Sequence, residues 1–139
     1  MLDVAPSAEH VKRHVPGAWF VLRARLAAAL AIVPPSRRVV VTCATGERAA
    51  WAAAELRELL AAGRGGDVFV LEGGTDAWLA AGLPGEPGEQ RLASPRIDRY
   101  RRPYEGVGVP ASAMQAYLDW EFGLVAQLER DGTHFFAPI

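Results

Sequence analysis

The hydrophobic positions of the chain fall into short runs that change character as the sequence proceeds. Residues 1–4 are apolar around Asp3 and stop at Ala5-Pro6, which predicts a strand. Ser7 is placed to cap a helical turn over 8–13, with Glu9 in the first turn where the helix dipole favours an acid. Val15-Pro16-Gly17-Ala18 punctuates, and Trp19-Phe20-Val21 predicts a second short strand. The Ala- and Leu-rich stretch 22–33 predicts a helix stopped by Pro34-Pro35. Val39-Val40-Val41-Thr42 is the clearest strand, continuous and β-branched and so apolar on both faces. Residues 47–62 predict a long helix ended by Gly63, and Val68-Phe69-Val70-Leu71 a further buried strand. After Gly73-Gly74, Thr75 is placed to cap a short helix over 76–81, closed by Gly82-Leu83-Pro84-Gly85.

Strands alternating with helices predict an α/β fold, a small and mostly parallel sheet with helices on both faces. From Gly85 to 110 the chain is rich in Gly, Pro and Arg with little periodicity, which reads as a linker or irregular arm. Residues 111–130 are helical again, with Met114, Tyr117, Leu118, Glu121, Val125 and Leu128 near one stripe. Trp120 and Phe122 lie off that stripe, which predicts packing against another domain or a second copy, such as a homodimer.

Composition narrows the function classes. The chain has 139 residues, 50% of them hydrophobic, enough for a core without a metal or disulfide staple. Its one cysteine, Cys43, excludes an internal disulfide and any multi-cysteine zinc site, and His10, His14 and His134 lack metal-binding spacing. We expect no metal and no cofactor. A net charge of −1 gives no electrostatic case for nucleic acid or an anionic membrane. No apolar run spans a bilayer and no signal-peptide pattern opens the chain, so a reduced, cytoplasmic setting is expected.

The chemistry concentrates in Cys43-Ala44-Thr45-Gly46-Glu47-Arg48. A buried strand ends in a cysteine, and a four-residue loop leads to an arginine and a helix. Ligands of open parallel sheets bind beyond the carboxyl ends of the strands, where Cys43 stands. Gly46 lets the loop curl, successive amides can form an anion cradle, and the helix adds its positive end. These features favour the thiolate, the nucleophilic form, while Arg48 adds a permanent charge. A lone cysteine after a buried strand is otherwise a small core residue, and Arg48 otherwise an ion-pair partner.

The chain resembles a single rhodanese domain. The matching pieces are Leu2-Asp3-Val4; Glu9 with His14-Val15-Pro16-Gly17-Ala18; Cys43 to Arg48; and Leu71-Glu72-Gly73-Gly74 with Ala77-Trp78 and Ala81-Gly82-Leu83-Pro84, in the family's order and spacing. They predict a rhodanese-like domain over 1–88 and a linker arm with a C-terminal helix over 89–139. The resemblance implies a sulfurtransferase. Cys43 would take sulfur from a donor such as thiosulfate, hold it as a persulfide among the amides of Ala44, Thr45, Gly46, Glu47 and Arg48, and pass it to an external thiol or cyanide. Asp3 and His14 would support the site, structurally rather than catalytically. The alternative is a rhodanese-like binding or regulatory module with weak or no catalysis. A phosphatase on this fold is disfavoured, because its loop has five residues between cysteine and arginine.

Three departures from the family pattern stand out. Ala5 occupies a place often held by arginine, and Arg13 one held by glycine. The family's first strand and helix, expected before Leu2, are missing, which suggests a domain cut from a longer protein. Arg102-Pro103-Tyr104-Glu105-Gly106 and 114–122 resemble the end of multi-rhodanese proteins. Trp78 is expected in the core under the Gly73-Gly74 turn, and Trp19 and Trp51 either in the core or on a pocket wall. Arg91, Arg96, Arg99, Arg101 and Arg102 read as a solvated or ion-paired linker rather than a nucleic-acid arm.

Overall fold

The computed structural model describes residues 1–63, 65–99 and 110–132. They form two units, Met1–Arg99 and the C-terminal part from Tyr100. The first unit holds four strands, β1 (Leu2–Asp3), β2 (Trp19–Phe20), β3 (Arg38–Thr42) and β4 (Asp67–Val70). They pair in the order β2-β1-β3-β4, every pair parallel. Leu2 stands opposite both Trp19 and Val41, so β1 is sandwiched between β2 and β3.

The strand order fixes where the helices go. Helix α1 (Ser7–Lys12) carries the chain from β1 outward to β2. A 3-10 turn and α2 (Leu26–Ala29) carry it back across to β3, and α3 (Glu47–Ala61) onward to β4. Right-handed crossovers running in opposite directions place α1 on one face and α2 and α3 on the other. The direction reverses between β1 and β3, the switch point where open parallel sheets bind ligands.

The core follows the sequence periodicity. Helix α3 buries Ala49, Ala52, Ala53, Leu56 and Leu60, one stripe at helical spacing, against β3, β4 and α2. The alanines bring helix and sheet close together. Val39 and Val41 of β3 point into that core with Leu2, Val21, Leu26 and Val68.

Several local expectations are corrected. The single helix over 22–33 is instead a 3-10 turn, Arg23–Arg25, followed by the four-residue α2. Arg25 leaves helical geometry (φ −123, ψ 19), and no side chain caps the start of α2. Ser7 is not the cap of α1, since Pro6 holds that position and the Ser7 amide donates to Asp98 Oδ2 at 2.7 Å. Thr75 does not cap helix α4 (Gly74–Ala80), whose cap is Gly73; its side chain is buried beside Thr42, Oγ to Oγ 3.3 Å. Trp78 is half-buried rather than core, its Nε1–H donating to the Pro84 carbonyl at 2.8 Å to close the turn.

From 86 to 99 the chain holds no helix or strand, yet 86–98 is bound to the sheet and α1. His14 and Glu86 exchange both backbone bonds, and Phe20 is bracketed by Arg91 and Ala93, which covers the outer edge of β2. Arg91 pairs with Glu86 and Arg96 with Glu89, while Arg101 and Arg102 lie outside the described residues.

Asp98 completes this docking. Burial pushes its carboxyl up, but the hydrogen bond from the Ser7 amide, its own amide and the nearby Arg96 guanidinium act with Ser7 to bring the net pKa below the ordinary 3.8. Asp98→Ala should cost about 1 kcal/mol, the usual value of a helix N-terminal cap. Because the folded pKa is depressed, the contribution is present above the ordinary carboxylate range and is lost as pH falls through the folded value. Urea denaturation of both proteins at neutral pH and at pH 3 checks this; the gap should shrink at low pH.

Helix α5 (Ala111–Asp131) belongs to the second unit. None of its residues is buried, and Trp120, Phe122 and Val125 are among its exposed apolar side chains. Tyr117 and Trp120 rings lie 5.8 Å apart. No helix among the described residues is long and apolar enough to cross a membrane.

Candidate active site

The end of β3 delivers Cys43 to the switch point. The next residues turn sharply because Gly46 takes φ +91 and serves as N-cap of α3. A Cβ there would lie 3.3 Å from the Leu71 carbonyl, so glycine is favoured by backbone angle and space together. The turn aims the Gly46 amide back at the cysteine, its N–H donating to Cys43 Sγ at 3.2 Å.

The far side of the loop is pinned by α4. The amides of Thr75 and Asp76 donate to the carbonyls of Cys43 (2.8 Å) and Ala44 (3.0 Å). With those carbonyls held on α4, the loop amides are left over. Among the described residues no acceptor meets the amides of Ala44, Thr45, Glu47 or Arg48. Those of Glu47 and Arg48 belong to the open first turn of α3, the positive end of its dipole.

Cys43 itself is 2% exposed. It lies at the bottom of a pocket of about 190 Å³ lined by Pro6, Glu9, Ala44, Thr45, Glu47 and Arg48. One wall therefore follows β1 and the other follows β3, as a switch-point site requires. Among the described residues Arg48 forms no ion pair. The charges at the mouth are one guanidinium and two carboxylates, Glu9 and Glu47. Hence no large positive field draws an anion in; attraction for one falls to Arg48 and the amides at close range.

Asp3 and His14 do not border this pocket. Asp3 is buried at the end of β1, where Oδ1 accepts the Ala5 amide (2.9 Å) and Oδ2 accepts His10 Nδ1–H (2.8 Å). His14 Nδ1–H donates to the His10 carbonyl at 2.7 Å, and the two imidazoles stack with centroids 3.8 Å apart. His10 was missed by sequence reasoning as a member of this group. Its place four residues before His14 carries no motif, and only folding sets it against Asp3, seven positions earlier. The assembly anchors α1, and with it Pro6 and Glu9, to β1. Asp3→Ala leaves a buried imidazole N–H and a buried amide without acceptors, so we expect a loss of about 2–4 kcal/mol. Denaturant midpoints for Asp3→Ala and Asp3→Asn check this, with Asn retaining part of the stability.

The other indole positions are also settled. Trp19 is partly buried against the core, while Trp51 is 61% exposed on α3 with the Arg23 guanidinium 5.8 Å from its ring centroid. Arg23 is in turn paired with Glu55. Among the described residues no group of acidic, histidine and cysteine side chains is placed to hold a metal ion.

Comparison with known proteins agrees with this geometry. The family description "Rhodanese-like domain" matches residues 1–81. A crystal structure of thiosulfate sulfurtransferase from Pseudomonas aeruginosa is 56% identical with a TM-score of 0.92, over 99% of this chain and 26% of that one. The chain thus spans about a quarter of the length of that protein. A rhodanese-like domain from Anabaena is 27% identical with a TM-score of 0.54, over 65% of this chain and 93% of that one. A rhodanese-related protein from Thermoplasma volcanium is 26% identical with a TM-score of 0.52, over 61% and 80%. None of the curated proteins matches the chain. With the family description covering more than half of its length, the chain belongs to the rhodanese-like domain family.

Proposed function

We propose that this chain is a sulfurtransferase domain that carries sulfane sulfur on Cys43. The observation that carries the reading is the Gly46 amide held 3.2 Å from Cys43 Sγ at the floor of an open pocket. A hydrogen-bond donor at that position is placed to stabilise negative charge on sulfur as bonds to it form and break. The likeness to the Pseudomonas thiosulfate sulfurtransferase supports the same activity.

The steps balance without an external oxidant. The Cys43 thiolate attacks the outer sulfur of thiosulfate; the new S–S bond forms as the S–S bond of the donor breaks, and its electron pair leaves with sulfite. An acceptor thiolate, or cyanide, then attacks the outer sulfur of the persulfide. That sulfur departs with the acceptor, and the electron pair of the broken bond returns to Cys43 as thiolate. The leftover amides of Ala44, Thr45, Glu47 and Arg48 are the donors available to the charged outer sulfur, with Arg48 as the one fixed positive charge. Asp3, His10 and His14 hold the wall on the α1 side and take no part in bond making. Because the thiol must stay reduced, a cytoplasmic setting belongs to this reading.

The small size of the Cys43 pocket and the acids at its rim favour a second reading, a binding module with slow chemistry. Mass spectrometry after incubation with thiosulfate separates the two. A gain of about 32 Da, one sulfur atom, that cyanide removes supports transfer; a folded protein that gains nothing overturns it.

A further inference from the structure

The peptide that joins Cys43 to Ala44 is held differently from the one after it. Its carbonyl accepts two donors, the Thr75 amide at 2.8 Å and the Thr42 hydroxyl at 3.3 Å. Among the described residues the Ala44 carbonyl accepts only the Asp76 amide, at 3.0 Å. The other end of the Cys43–Ala44 peptide is the amide of Ala44, a residue that lines the Cys43 pocket. We propose that Thr42 and Thr75 are positioning residues for sulfur transfer. Their hydroxyls form a buried, directed chain that polarises this peptide and strengthens the Ala44 amide as a donor to charge on the outer sulfur. The proposal rests on the sulfurtransferase reading of Cys43.

The direction of the chain follows from its atoms. A threonine hydroxyl carries one proton. Thr42 Oγ1 directs its proton to the Cys43 carbonyl, so toward Thr75 Oγ1, 3.3 Å away, it is the acceptor and Thr75 the donor. Each hydroxyl then polarises the next in the same sense, ending at the carbonyl oxygen. A carbonyl with both lone pairs engaged draws density from the nitrogen that shares its peptide, here that of Ala44. Its N–H thereby becomes a stronger donor. When thiosulfate loads Cys43, the charge left on the transferred sulfur comes to rest among these amides.

Packing alone does not call for hydroxyls here. Thr42 is fully buried at the end of β3, and Thr75 is buried beside it. Valine has the same shape and would extend the run Val39-Val40-Val41 with no polar group to satisfy. The two hydroxyls instead find each other and the Cys43 carbonyl. Neither side chain borders the Cys43 pocket, so both act through the peptide rather than on substrate.

Thr42→Val removes the chain and keeps the shape. Single-turnover loading by thiosulfate, followed as mass gain, should slow about fivefold at saturation. That is less than the roughly 10²–10³ lost with a donor that touches the charge itself. The half-saturating thiosulfate concentration should stay within about twofold, because the strengthened bond acts as charge moves. Thr42→Ser, which restores the hydroxyl, should recover the rate to within about twofold. Thr75→Val should cost about twofold, and the double variant should be no slower than Thr42→Val, since Thr75 acts only through Thr42. In unloaded protein, NMR should show the Ala44 amide proton moving upfield in both valine variants while that of Gly46 stays in place. An unchanged rate in Thr42→Val, an equally slow Thr42→Ser, or an unmoved Ala44 amide overturns the proposal. If Thr42→Val does not fold, the rate and amide shift of Thr75→Val decide in its place. A parent chain that takes no sulfur, with the Ala44 amide moving as described, would instead overturn the sulfurtransferase reading alone.

Discussion

Cys43→Ser should lose the thiosulfate-dependent mass gain completely and reduce transfer of sulfur to cyanide on the order of 10⁴-fold or more, to the uncatalysed background. The serine hydroxyl is close to the thiol in size and polar enough to accept from the Gly46 amide, so the fold should survive. What it lacks is an ionisable, polarisable atom that can bond to sulfur and release it again. Since Cys43 is the only cysteine, no other thiol in the chain can stand in for it. The variant also separates covalent loading from adsorption. Thiosulfate bound only through Arg48 and the loop amides would still shift the mass of Cys43→Ser under gentle ionisation. An equal gain in both proteins would end the persulfide proposal.

Gly74→Ala should be the most damaging small substitution in the first unit. Gly74 has φ +64, and an added Cβ would lie 2.2 Å from the Cys43 carbonyl oxygen, 2.4 Å from that of Ala44 and 2.7 Å from the Gly46 nitrogen. All three are backbone atoms of the loop that follows β3, so nothing flexible can move aside. The loop must lift off α4, losing the bonds from Thr75 and Asp76 that hold its carbonyls. We expect about 3–4 kcal/mol of destabilisation, from steric displacement and left-handed geometry together. For a unit of this size that is roughly 12–25 °C in Tm, readable by circular dichroism. In protein still folded at low temperature, sulfur transfer should fall by about 10²-fold, the cost of misplacing a reacting atom by an ångström. Gly82→Ala is the control: φ is +75 there, but the added Cβ meets nothing within 4 Å. It should cost only about 1 kcal/mol. Equal losses in the two variants would show that backbone angle alone matters and that α4 does not brace the loop.

The shape of the loop from Cys43 to Arg48 was legible in the sequence because its information is local. A β-branched run ending in cysteine, then a glycine three residues on and a helix, specify a strand, a left-handed turn and a helix start within ten positions. The parallel sheet followed from alternation of element types. What the sequence could not show was pairing across distance. Nothing around Ser7 indicates that its amide meets Asp98, and nothing in Asp3 or His10 announces a shared hydrogen bond. Local rules placed Ser7 and Thr75 as helix caps; instead Ser7 turns to Asp98 and Thr75 to Thr42. The break at Arg25 likewise follows from packing Leu26 and Ala29 onto the core, which composition alone does not encode. Gly74 was visible as a turn residue, but its contact with three loop atoms required the folded chain.

The two walls around Cys43 come from stretches more than thirty residues apart, and they meet only when β1 lies against β3. Until that pairing forms, the sulfur lacks its enclosure, although the Gly46 amide stands only three positions away. An unfolded copy therefore offers a sulfur donor only an ordinary cysteine, without the enclosure that the two strands build around it.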